Sequence, residues 1–163
     1  MTDTTRTATF AHSLQGLVFR GEHSWSMGSA TPLYFGFTVP NTEIVALGRE
    51  YFADTTSLIV DLYEATWSGG NPVKTINRRL KHRNDTPPMQ FFEGVTPGAL
   101  TDRITGFKVT SQGAIRIGRL GEVEPFVHEA LTSYVLKINT LVVGPVDFGF
   151  SVDYRLIQPG EDA

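Results

Sequence analysis

From Gly16 onward the chain is a succession of short apolar runs separated by turn-forming residues, the pattern of many antiparallel strands. The runs are Leu17–Arg20, Leu33–Val39, Ile44–Phe52, Ser57–Tyr63, Met89–Phe92, Ile104–Val109, Ala114–Ile117, Tyr134–Asn139 and Val146–Leu156. The last is the clearest: Val146, Phe148, Phe150, Val152 and Tyr154 alternate with Asp147, Gly149, Ser151, Asp153 and Arg155, so one face is apolar and the other wet. Phe35, Phe37 and Val39 alternate in the same way with Tyr34, Gly36 and Thr38. In Ser57–Tyr63 both faces are apolar apart from Asp61, which predicts a strand covered on both sides. Val123–Leu131 and Leu100–Ile104 have spacings compatible with short helical or irregular segments. Evenly spaced strands with Gly and Pro between them predict an all-β antiparallel sandwich or jelly roll. Its longest connection runs from Trp67 to Pro88, and connections of that length are usually functional or disordered.

Met1–Gln15 lacks a convincing period and reads as an N-terminal arm, either a frayed end or a segment that orders on a neighbouring subunit. Residues 16–158 then form the sandwich domain and 159–163 a C-terminal tail. A chain of 163 residues suits one core. Its 16 Gly and 9 Pro beside 19% charged residues favour strands and turns over helices. With 14 basic against 17 acidic residues there is no broad positive field for nucleic acid. No run approaches a membrane span, and the polar start matches no secretory signal. Cysteine is absent, so neither disulfides nor thiolate metal sites are expected.

Catalytic signatures are missing. His12, His23, His82 and His128 share no metal-ligand spacing and read as surface or loop residues. No Gly-x-Ser-x-Gly elbow or phosphate-binding loop occurs. Glu64, Glu93, Asp61 and Asp153 are the candidates for the paired carboxylates of a glycosidase. Arg78-Arg79-Leu80-Lys81-His82-Arg83 places four basic residues within six positions, suiting a solvated loop or a contact to an acidic protein surface. Trp25 and Trp67 fit either packing roles or stacking on sugar. The expectation is a binding protein without catalysis or cofactor.

Leu62-Tyr63-Glu64-Ala65, then Ser68-Gly69-Gly70, then Ile76-Asn77-Arg78-Arg79 resembles a pattern of tailed-phage head proteins: a strand ending in Tyr-Glu, a Gly turn and an Asn-Arg segment. Tyr134-Val135-Leu136-Lys137-Ile138-Asn139 and the alternating Phe148–Tyr154 resemble their C-terminal strands, so the likeness covers roughly Ile44 to Leu156. The family it resembles is that of the bacteriophage capsid decoration, or cement, proteins. The resemblance implies a β-sandwich on the outer surface of the virion, commonly a homotrimer, made in the host cytoplasm and clamping neighbouring subunits of the major capsid protein. It implies no catalysis and no nucleic-acid or membrane partner. Trp67, Asn77, Arg78, Arg79, Lys81 and Arg83, with Arg6 and Phe10 of the arm, are the expected contacts to capsid or neighbouring copies. The alternative within a virion is a tail or fibre module binding host-surface carbohydrate; a small jelly-roll enzyme is a third reading.

Overall fold

The computed structural model describes residues 17–27, 31–53, 58–82, 84–109, 126–140 and 146–160. The expected strand Ala114–Ile117, the arm, and Arg6, Phe10, His12 and Arg83 lie outside them. The long strands are β1 (Phe19–Met27), β2 (Leu33–Thr38), β3 (Ile44–Ala53), β4 (Leu58–Glu64), β10 (Asp102–Val109), β12 (Ser133–Thr140) and β13 (Val146–Leu156). Shorter ones are β5 (Trp67–Ser68), β6 (Asn71–Pro72), β7 (Thr75–Asn77), β8 (Phe91–Glu93), β9 (Thr96–Pro97) and β11 (Phe126–His128). One sheet has the order β11-β3-β13-β1-β7, the other β10-β4-β12-β2-β8-β6, and β5 and β9 form a separate ribbon. The pairings are antiparallel.

The pairing is nested. The first four long strands meet the last four described strands in reverse order: β1 with β13, β2 with β12, β3 with β11, β4 with β10. Period-two alternation then turns one face of each sheet inward. Phe148, Phe150, Val152 and Tyr154 of β13 face Phe35 and Phe37 of β2, Val60 and Leu62 of β4, and Leu136 and Ile138 of β12. Phe35 and Phe150 meet edge to face at 4.8 Å, the geometry that aromatic quadrupoles favour. Each such buried side chain stabilises the fold by about 1.5–3 kcal/mol relative to exposure. Tyr154 is fully buried, and its hydroxyl donates to the Met89 carbonyl at 2.6 Å.

Two sequence expectations change. Val123–Leu131 contains no helix among its described residues: residues 126–128 form β11, and His128 is 5% exposed, packed edge-on against Phe37 and Tyr134, so it is a core histidine and not a surface one. Residues 102–104, expected in a short turn, begin β10. The connection Trp67–Pro88 is also threaded with structure. It contributes β5 to the ribbon, β6 to one sheet edge, β7 to the other, and one 3-10 turn at Leu80–His82.

Candidate functional site

Trp67 lies in the ribbon folded over the outer face of β2. Its indole rests on Gly36, where a Cβ would collide with the ring, and its Nε1–H donates to the Phe37 carbonyl at 3.2 Å. Phe92 packs against it with ring centres 5.1 Å apart. The amide of Gly98 donates to Thr66 O at 2.7 Å within the ribbon, and that of Gly94 donates to Tyr34 O of β2 at 2.9 Å, tying the ribbon's approach to the sheet. Val135, which pairs with Gly36 on this outward face, is consequently fully buried. Gly69 and Gly70 make the turn from β5 to β6 at φ 69° and 93°, a region that costs other residues energy. Trp67 is therefore a packing residue that fastens the insertion.

The basic run divides by direction. Asn77 is completely buried, and its Oδ1 accepts the Arg79 amide at 2.9 Å, an Asx turn that ends β7. Its side chain is thus not available to a partner, a correction to its place among the contacts, because the turn needs the carboxamide inside. The Arg78 amide donates to Val18 O at 2.9 Å and its guanidinium reaches Asp153 Oδ2 at 3.2 Å. Arg20, directly across from Asp153 in the β1–β13 register, grips the same carboxylate with Nε at 2.8 Å and Nη2 at 3.0 Å. The carboxylate is 4% exposed while the two arginine side chains keep 30% and 32% of their surface, so their hydration is only partly lost. Arg78 points back into its own fold. Arg79 is half-buried and Lys81 exposed, and among the described residues neither is joined to a carboxylate. His82 Nδ1 lies 3.3 Å from Asp85 Oδ2 in an exposed pair of little energetic weight.

Asp61 and Asp153 do not form a catalytic pair. Each alternates with inward residues of a different sheet and faces away from the core, Asp153 held by Arg20 and Arg78, Asp61 by Arg103 Nε at 2.8 Å. Glu64 ends β4 exposed, and Glu93 lies on β8. Among the described residues no group of three or more His, Asp or Glu side chains is placed to hold a metal ion, and no helix is long and apolar enough to cross a membrane. A cavity of about 40 Å³ beside Phe37, Ile44, Ala46, Leu136 and His128 is lined mainly by apolar core side chains.

Sequence reasoning named Asp153 only as a candidate carboxylate and missed its pairing with Arg20. The signal was there once the first and last strands were set side by side, because a basic and an acidic residue then stand opposite on the outward face. Comparison with models of protein families, with curated proteins and with solved structures found no match.

Proposed function

We propose that the chain is a structural virion protein: a jelly-roll sandwich that binds the outside of an expanded phage capsid, associates with copies of itself, and clamps neighbouring major capsid protein subunits. The observation that carries this reading is where the head-protein-like stretches fall. Tyr134–Asn139 and Phe148–Tyr154 occupy β12 and β13, interior strands of the two sheets, while Ser68-Gly69-Gly70 and Ile76–Arg79 make the turn and the β7 end of the insertion. The nested pairing of first with last strands supports the jelly-roll description.

A cement protein needs no chemistry. A ligand that binds only the assembled, expanded lattice stabilises it by mass action, because it has no affinity for the dissociated state. Arg79 and Lys81, beside and on the turn Leu80–His82 and in no ion pair among the described residues, suit carboxylates on a shell subunit or a neighbouring copy. The carbohydrate alternative asks for an open aromatic platform, whereas the Trp67 ring is engaged with Gly36 and Phe92. Co-sedimentation of the purified chain with expanded and unexpanded shells tests the proposal. Binding to expanded shells, weakened by Arg79→Ala with Lys81→Ala, is expected; no co-sedimentation with either shell contradicts it.

A further inference from the structure

The outward face of the six-stranded sheet gathers polar side chains that the fold itself does not use. Leu136 and Ile138 of β12 point into the core, so Val135, Lys137 and Asn139 alternate outward. By the same rule Tyr34 and Gly36 of β2 and Asp61 and Tyr63 of β4 share that face. Lys137 sits at its centre. It lies directly across from Tyr34 on one side and from Asp61 on the other, and Tyr63 is its diagonal neighbour at about 7–8 Å, within reach of long side chains. Tyr34, Tyr63, Lys137 and Asn139 are all half-buried. Among the described residues, none of these four side chains is in a hydrogen bond, an ion pair or a ring contact.

The groups around them are engaged. Asp61 takes Arg103 Nε at 2.8 Å over Gly106, where a Cβ would collide with both partners. The hydroxyls of Thr38 and Ser133 meet at 2.8 Å, and the Trp67 ring covers Gly36 beside the buried Val135. The unused groups are therefore confined to the middle of the face. Two half-open phenol rings, two hydroxyls, an ammonium and a carboxamide put apolar area and hydrogen-bonding groups in one place, as ligand sites do. Charge narrows the ligand further. Arg103 neutralises Asp61, which leaves Lys137 as the uncompensated charge among the described side chains of this face. Glu64, Glu93 and Asp102 alternate with its outward positions Tyr63, Phe92 and Arg103.

We infer that this face binds an acidic saccharide, a chain of sugar rings carrying carboxylates. The C–H faces of the rings stack on Tyr34 and Tyr63, the sugar hydroxyls meet the two phenol hydroxyls and the Asn139 amide, and a carboxylate takes the Lys137 ammonium. Trp67 is no part of this platform, since its ring is engaged with Gly36 and Phe92; it walls the face on the β2 side. A flat sheet surface suits an extended ligand that crosses strands, and a single unpaired cation at its centre favours an acidic sugar over a neutral one. The site is separate from Arg79 and Lys81 and does not depend on the cement role.

Isothermal titration of the full chain reads the outcome. The probes are tetramers of galacturonic acid and of N-acetylneuraminic acid, and the galacturonic tetramer after its carboxylates are reduced to alcohols. At least one acidic tetramer is expected to bind, more weakly as salt rises. The reduced tetramer should bind about tenfold or more weaker than its acidic parent, since a charge-assisted contact is lost. Lys137→Met keeps the apolar stem and should abolish the preference for acid with an unchanged circular dichroism spectrum. Tyr34→Ala should weaken the acidic and reduced forms by similar factors. Binding of neither acidic tetramer, equal affinity of the wild type for acidic and reduced forms, or an acid affinity that Lys137→Met leaves intact overturns the inference. A chain that binds the acidic tetramer but no expanded shell would remove the cement role and leave this site standing; shell binding without sugar binding would do the reverse.

Discussion

Replacing Asp153 by Asn isolates the energetic worth of the cluster that ties β1, β7 and β13. The carboxylate accepts three bonds, at 2.8 and 3.0 Å from Arg20 and 3.2 Å from Arg78, and is almost wholly buried. Hydrogen bonds to charged groups contribute roughly 1.5–3 kcal/mol each, so the gross loss is about 4.5–9 kcal/mol. Both arginines retain about a third of their surface and recover hydration, which brings the net cost to about 3 kcal/mol, the low end for breaking a buried pair. For a chain of this length that is a fall in Tm of roughly 6–12 °C. Arg78→Ala removes one bond and leaves the Arg20 pair, so it should cost only about 1 kcal/mol. Urea unfolding at one fixed protein concentration measures both. Asp153→Asn within about 0.5 kcal/mol of wild type, or Arg78→Ala costing more than Asp153→Asn, would refute the account of the cluster.

Other expectations follow from the same geometry. Gly36→Val should drive the Trp67 ring off the sheet at a cost of about 1–3 kcal/mol, seen as faster hydrogen exchange at Trp67, Ser68, Thr96 and Gly98. Burial holds the Tyr154 hydroxyl above the ordinary phenol range, so the folded state keeps a proton that the unfolded chain releases near pH 10. Stability is therefore whole below about pH 10 and falls above it, and Tyr154→Phe should flatten that alkaline loss in pH-dependent denaturation while costing about 1–2 kcal/mol at neutral pH for the orphaned Met89 carbonyl. Arg79→Ala with Lys81→Ala should leave stability within about 0.5 kcal/mol of wild type, because among the described residues neither side chain is in an ion pair.

How much was legible in the sequence depended on strand length. β13 and β2 were readable because several consecutive alternations leave no other period, and their inward residues are those the pattern named. β5, β6 and β7 have two or three residues, too few to show a period, so the Trp67–Pro88 insertion looked like loop although its backbone pairs with both sheets. Val135 and Asp153 reverse the simple inward-apolar rule, because Val135 lies across from Gly36, where the Trp67 ring packs, and arginines close over Asp153. A lone histidine carries no local sign of burial, and His128 enters the core only because the nested pairing brings β11 to the edge of β3. The basic run was visible as a cluster, but not that Arg78 reaches Asp153 on the outer face of the same chain while Lys81 is exposed and, among the described residues, in no ion pair.

The most direct test of the proposed cement role is quantitative mass spectrometry of the purified, DNA-filled particles on which that proposal places the chain, counting its copies against those of the major shell subunit. A copy number comparable to the shell subunit is predicted, whereas a handful of copies, or none, would contradict a role across the lattice.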